Sequence, residues 1–203
     1  DACYGSVINL TYFNTVGTGP FTLVINDSVF SNVTSGVPFS SGVTSKNAAE
    51  SIWDASAAVG AAVTDNSAIE VGVKFRPNVE GEIAGIRFYK YGGNTGTHKG
   101  SLWTSDGRLL ATATFINETS SGWQQVNFST PVPVTPGVTY IASYYAPNGG
   151  YAYTPGGFVS KRITNSTGSL TTLKAGDGGN GVFKSGGGFP SDVSADNGNY
   201  HVD

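Results

Sequence analysis

Residues 69–76 read Ile-Glu-Val-Gly-Val-Lys-Phe-Arg, with apolar side chains alternating with polar residues or glycine along the run. A period of two is typical of a β-strand that buries one face. The alternation continues in residues 83–89, and further candidate strands follow at Ser101–Thr104, Leu109–Phe115, Gln124–Phe128, Thr139–Tyr145 and Gly181–Phe183. Turn sequences such as Asp106-Gly107 separate these short strands. The pattern predicts an all-β chain, folded as a jelly-roll-like antiparallel β-sandwich.

The composition narrows the classes of function. Charged residues make up 12 % of the 203 residues and the formal net charge is −3. The chain therefore lacks the excess of positive charge by which proteins bind nucleic acid or an anionic membrane. A hydrophobic content of 38 % argues against disorder, and no apolar run approaches the roughly 20 residues of a membrane span. Without a Met start or a leader, we expect an excised piece of a longer exported protein, located outside the cell or on a bacterial cell surface.

The composition changes near residue 45, which predicts two parts. Residues 46–203 contain the β-sandwich, whereas residues 1–45 hold only three strand-like runs and a linker: Ser6–Phe13, Pro20–Ile25 and Val29–Val33. Three strands are too few to close a sandwich, so this segment is expected to pack on its neighbour or to be the remnant of a preceding module. Cys3 is the only cysteine, which excludes an internal disulfide and a cysteine-based zinc site.

Two resemblances are carried by short motifs. In residues 51–203 the motifs are Gly72–Phe75, Gly85–Lys90, Asn94–His98, Gly100–Trp103, Gly122–Val126 and Ser143–Pro147. They resemble a family of bacterial extracellular domains that is classed as being of unknown function. The resemblance implies a secreted β-sandwich module that occurs beside glycan-active catalytic domains and adhesin segments, and it implies no established activity. Residues 2–39, through Leu10–Phe13 and Gly17–Leu23, resemble the immunoglobulin-like repeats of bacterial surface proteins.

Aromatic residues are the most informative candidates for ligand binding. Because side chains alternate along a strand, Arg87 and Tyr89 point to one face and Ile86 and Phe88 to the other. In the same way, Trp103 and Leu102 point to different faces of their strand. Sugar rings present apolar C–H faces and hydroxyl groups, which suit aromatic platforms with a few polar partners. We therefore expect one polar-aromatic surface of Arg87, Tyr89 and Trp103, joined by tyrosines of the loop that follows: Tyr144, Tyr145 and Tyr151. The alternative is that such aromatic side chains form the core of the sandwich.

Acidic residues and histidine complete the candidate set. His98 and Glu118 are predicted ligand contacts, with solvated side chains as the alternative. Glu118 and Glu70 are also a candidate pair of general acid and general base, the two roles that paired carboxyl groups have in glycosidases. Because Glu70 lies in the first strand of the main domain and Asp203 in its last, the two carboxylates would meet if those strands are neighbours. That juxtaposition predicts a structural calcium site.

Together these observations predict a non-catalytic, extracellular carbohydrate-binding module that binds polysaccharide and touches neighbouring modules of its own polypeptide. Two alternatives come from other classes. One is a structural or adhesion spacer with no ligand of its own, and the other is a hydrolase that uses Glu118 or Glu70 with His98.

Overall fold

A computed structural model describes residues 21–25, 28–33 and 49–203. The chain divides into two compact units, Asp1–Ala49 and Glu50–Asp203. In the first unit, β1 (Phe21–Ile25) and β2 (Ser28–Val33) pair as an antiparallel hairpin, at the two positions where the sequence predicts strands. Cys3, the predicted strand Ser6–Phe13 and the predicted boundary at residue 45 lie outside the described residues.

The second unit is built from short strands, as the alternation of its sequence predicts. The strands are β3 (Ala61–Ala62), β4 (Ile69–Pro77), β5 (Gly81–Lys90), β6 (Lys99–Thr104), β7 (Leu109–Thr114), β8 (Gly122–Val134), β9 (Tyr140–Ala146), β10 (Ala152–Tyr153), β11 (Leu170–Thr172), β12 (Val182–Ser185) and β13 (Asp192–Val193). One turn of 3₁₀-helix, Ala175–Asp177, precedes β12. Among the described residues, no helix has the length and apolar character that crossing a membrane requires.

All strand pairs of the second unit are antiparallel, and its two main sheets form facing layers. The larger sheet has the order β13-β12-β4-β9-β6-β7, with β11 also paired to β4, and the smaller sheet pairs β5 with β8. A short ribbon pairs β3 with β10. The prediction of an all-β antiparallel sandwich is confirmed.

The core lies between β5 and the inner face of the larger sheet. Phe88 of β5 stacks on Tyr144 of β9 with ring centroids 4.0 Å apart, and neither side chain is exposed. Gly100 of β6 allows β5 to pack closely against β6, because a Cβ there would lie 2.8 Å from Cβ of Ile86. Alternation along β4 adds further apolar side chains to the same core: Ile69, Val71, Val73 and Phe75.

One edge of β4 is completed by a side chain. Along this edge β12 pairs with the first residues of β4 and β11 with the last, which leaves Val73 and Lys74 between them. The buried amide of Asn180 fills this gap: its Oδ1 accepts from the main-chain N–H of Lys74 at 2.7 Å, and its Nδ2 donates to the carbonyl of Lys74 at 3.0 Å and of Leu173 at 2.9 Å. A side-chain amide therefore replaces a missing strand residue.

We predict that Asn180→Ala lowers the free energy of unfolding by about 2 kcal/mol, because the main-chain N–H of Lys74 and the carbonyl of Leu173 lose the amide group that bonds them. Urea denaturation followed by circular dichroism measures the change. Asn148→Ala is the matched control, since the Asn148 amide makes an exposed hydrogen bond to Thr95 at 3.2 Å. Equal stability of the two variants would contradict the role given to Asn180.

Candidate functional site

The outer face of the larger sheet carries a row of large side chains beside a row of small ones. Residues that lie opposite one another across β12, β4, β9 and β6 form the first row: Lys184, Glu70, Tyr145 and Lys99. Two positions further along, the corresponding residues of β4, β9 and β6 are Gly72, Ser143 and Ser101. Trp103 stands beyond this small row on β6. Small side chains between large ones leave a depression that runs across the strands.

This depression is a cleft of about 280 Å³. Its lining combines aromatic, charged and hydroxyl side chains with a glycine loop: Glu70, Lys99, Ser101, Trp103, Tyr145 and Gly186–Gly188. Trp103 and Tyr145 are half-buried, so part of each ring faces the cleft. Of the predicted site residues, the structure brings Trp103, Tyr145 and Glu70 together here.

Three consecutive glycines with positive φ form one wall of the cleft. Their φ angles are 77° for Gly186, 94° for Gly187 and 96° for Gly188, a backbone region that favours glycine. A Cβ on Gly187 would lie 2.9 Å from the Tyr145 ring, so the main chain rests against that ring only because a side chain is absent. Next in the chain, Phe189 packs on Trp103 with centroids 5.7 Å apart. Both aromatic residues of the cleft therefore hold this loop.

A chain of hydrogen bonds fixes the polar groups below the cleft. The indole Nε1–H of Trp103 donates to Ser143 Oγ at 2.8 Å, and the Ser143 hydroxyl donates to Glu70 Oε1 at 2.5 Å. The main-chain N–H of Gly188 also donates to the Glu70 carboxyl group. Because Ser143 accepts from Trp103 and donates to Glu70, the orientation of the indole is tied to the carboxyl group.

Burial raises the pKa of Glu70 to about 7, since only 4 % of the residue is exposed. The hydrogen bonds from Ser143 and Gly188 and the charge of Lys99 act in the opposite direction but do not cancel the desolvation. Near neutral pH the cleft therefore holds a carboxyl group that donates a hydrogen bond when protonated and accepts when ionised.

Three predicted ligand contacts instead belong to a buried polar network. The His98 side chain is fully buried, with Nδ1 2.8 Å from both carboxylate oxygens of Glu118 and Nε2 2.8 Å from Asn94 Oδ1. Glu118 also accepts from Lys90 Nζ at 2.7 Å, and Asn94 Nδ2 donates to the hydroxyl of Tyr144 at 3.1 Å. Burial lowers the pKa of His98 more than the neighbouring carboxylate raises it.

The expectation that His98, Glu118 and Tyr144 face a ligand is corrected by this network. Successive side chains of a strand point to opposite faces, so Tyr144 points into the core and Tyr145, its neighbour in β9, lies on the cleft side. The bonds from His98 to Glu118 and from Asn94 to Tyr144 span 20 and 50 positions of the chain, so they stabilise the packing of loops on β9. None of the three lines the cleft.

The single surface of Arg87, Tyr89 and Trp103 is also corrected, because β5 and β6 belong to different sheets. Arg87 and Tyr89 point outward from the small sheet, on the side of the sandwich opposite the cleft. There Arg87 donates to the Asp203 carboxylate and to the carbonyl of Trp53, and its guanidinium lies 4.7 Å from the centre of the Trp123 ring. Tyr89 packs against Trp123 at 5.6 Å.

Glu70 and Asp203 do not meet, so the juxtaposition that predicted a calcium site is wrong. The chain end pairs with β5, where main-chain bonds of 2.6 and 2.7 Å join Asp203 to Arg87, and not with β4. Asp203 Oδ1 accepts from the N–H of Ile52 at 2.7 Å. Within the described ranges, no group of three or more His, Cys, Asp and Glu side chains is placed to hold a metal ion. Calcium binding itself stays a prediction.

Tyr151 is the remaining predicted contact, and it lies apart from the cleft lining. Its half-buried ring packs edge-on against Tyr200 at 5.5 Å. Sequence reasoning missed Lys99, Ser101 and the Gly186–Gly188 loop as parts of the site. The triple glycine was the available signal, whereas the position of Lys99 depends on strand register.

Comparison with known proteins gives one finding. A family model described as "Domain of unknown function (DUF4082)" matches residues 55–202, which include every residue that lines the cleft. No curated protein matches the chain.

We predict that Glu70→Gln stabilises the protein above neutral pH. The folded state raises the pKa of Glu70 from 4.5 to about 7, so the ionisation of Glu70 reduces stability progressively across this interval and fully above it. Gln keeps the acceptor for Ser143 without the buried charge, and the variant should gain up to about 3 kcal/mol relative to the parent at about pH 8.5.

Urea denaturation at several pH values between about 5 and 8.5 measures this difference, which should shrink towards the acid end. The control is Glu82→Gln, which removes an exposed carboxylate of β5 and should give no such dependence on pH. A constant difference between Glu70→Gln and the parent at all pH values would contradict the buried-charge explanation.

Proposed function

The chain belongs to the family of the domain of unknown function DUF4082, and we propose that residues 50–203 form a non-catalytic carbohydrate-binding module of a larger extracellular protein. The observation that carries the proposal is the cleft in which Trp103 and Tyr145 flank hydroxyl and charged groups. Its ligand is a polysaccharide, and its other contacts are with neighbouring modules of the same polypeptide.

The chemistry of the lining supports a sugar ligand. Partly exposed indole and phenol rings offer flat apolar surface for the C–H faces of a pyranose. Around them, Glu70, Lys99 and Ser101 supply donors and acceptors for ring hydroxyls. The hydrogen-bonded chain through Ser143 holds Trp103 in position before a ligand arrives, which reduces the entropy lost on binding. Because an open cleft of this size buries little area, we expect a Kd in the micromolar to millimolar range.

Binding without catalysis is favoured by the placement of the carboxylates. Glycosidases use two carboxyl groups that flank one sugar bond, roughly 5–10 Å apart. Among the described residues that line the cleft, Glu70 is the only acid. Glu118, its predicted partner, is engaged by Lys90 and His98 in the buried network.

We predict that Trp103→Ala and Tyr145→Ala each weaken polysaccharide binding about tenfold or more, because each removes a ring on which a sugar packs. Tyr89→Ala is the matched control, since Tyr89 is also half-buried but belongs to the other sheet. A glycan array and pull-downs with insoluble cellulose, chitin and xylan identify the ligand. Calorimetry on that ligand then compares the variants, with circular dichroism to verify folding.

Two outcomes would overturn parts of this proposal. A folded parent protein that binds no glycan would point to the structural spacer. Loss of binding in Tyr89→Ala, with Trp103→Ala unaffected, would move the site to the outer face of β5 and β8.

A further inference from the structure

Exposed lysines stand at both ends of the row that borders the cleft. Lys184 of β12 lies opposite Glu70, and Lys99 of β6 lies opposite Tyr145 and lines the cleft itself. Residues that face each other across antiparallel strands share one side of the sheet, so both ammonium groups project on the cleft side. Both residues are exposed.

Neither lysine is neutralised by a described carboxylate. The ion pairs within residues 49–203 join Arg87 to Asp203, Glu118 to Lys90 and His98, and Arg162 to Asp177. The only acid of the row is Glu70, which is 4 % exposed and is held by the Ser143 hydroxyl. In a chain whose formal net charge is −3, the cleft border is thus a local site of positive charge.

From this placement we propose, on the basis of the carbohydrate-binding function proposed above, that the cleft selects polysaccharides with negatively charged groups. Carboxylates of uronic acids and sulfate esters share the chemistry that two ammonium groups recognise. The aromatic rings pack on the sugar faces, and the lysines contact the charged substituents.

The spacing of the lysines requires a polymer with more than one charge. Three strand-to-strand steps of about 4.8 Å separate β12 from β6, which places the two lysine Cα atoms roughly 14 Å apart. That distance exceeds the length of one sugar ring, so the two ammonium groups contact substituents on different residues of the ligand. The depression runs across the strands in the same direction as this row, which lets one chain follow both.

The groups that face Glu70 give the selection a dependence on pH. They are Lys184 from β12, Ser143 and Tyr145 from β9, Lys99 from β6, and the main chain of the Gly186–Gly188 loop. A protonated Glu70 does not repel an anionic ligand, whereas an ionised Glu70 does. Affinity for the charged polymer should therefore fall as pH rises from about 6 to 8, and Glu70→Gln should remove that fall.

Polymers that share a backbone and differ in charge provide the test. One pair is dextran sulfate with dextran, and the other is polygalacturonate with its methyl ester. We expect the charged member of at least one pair to bind about tenfold tighter at low salt, with the preference reduced at high salt. Calorimetry or affinity electrophoresis measures both quantities, and the pair that responds identifies sulfate or carboxylate as the recognised group.

Variants assign the preference to the cleft. The double variant Lys99→Gln/Lys184→Gln should bind charged and neutral polymers alike, since both ammonium groups are removed from exposed positions without disturbing the core. Lys161→Gln is the control, because Lys161 is also exposed but does not line the cleft. An equal loss in Lys161→Gln would show that the preference reflects overall charge and would overturn the proposal.

Failure of this inference is distinguishable from failure of the proposed function. If charged and neutral polymers bind equally well and Trp103→Ala weakens the binding of both, the charge selection is overturned and the carbohydrate-binding function is retained. No binding to any polymer, from folded protein, would overturn both. If a cationic glucosamine polymer binds more tightly than its neutral N-acetylated form, the cleft prefers positive charge. That result would overturn the proposed selection of anions and assign the preference to the Glu70 carboxylate.

Discussion

Strand β4 is hydrogen-bonded along both of its edges, and this pairing determines where the chemistry of the domain lies. On one edge β9 runs alongside Ile69–Phe75, and on the other β12, the Asn180 amide and β11 follow in succession. With both edges satisfied, β4 is fixed in register, and alternation then directs Val71 and Val73 to the core and Glu70 to the cleft. A shift of one residue would exchange these faces, so core and cleft are specified together.

Strand β9 connects the two polar systems of the domain. Its Tyr144 points inward, stacks on Phe88 and accepts from Asn94, which is hydrogen-bonded to His98 and so linked to Glu118. Its Ser143 points outward and links Trp103 to Glu70. Neighbouring residues of one strand thus anchor the buried network and the cleft. The network therefore fixes the position of β9, the strand that also carries the cleft residues Ser143 and Tyr145.

Local features of the structure could be predicted from the sequence, and non-local ones could not. The strands from β4 to β9 and the burial of Ile86, Phe88 and Leu102 follow from alternation, which needs only neighbouring residues. Whether Arg87 and Trp103 share a surface depends on which strands pair, and the sequence carries no such information. The same holds for Glu70 with Asp203 and for the row that joins Lys184 to Lys99. Strands of two residues, such as β3 and β13, are too short to show a period.

Glu70 bears on the function of the domain because burying its carboxyl group lowers the stability of the fold. Gln would satisfy the Ser143 hydroxyl and the Gly188 N–H at the same position, without the desolvation that raises the pKa of the carboxyl group. The domain therefore retains at neutral pH an ionisable group that reduces its stability, in a cleft with two aromatic rings and an unpaired lysine nearby. Such a group is typical of a binding site, where affinity or selectivity depends on a charge that packing alone would exclude. A spacer module gains nothing from a buried carboxyl group at this position, and this difference favours a ligand-binding role for the cleft.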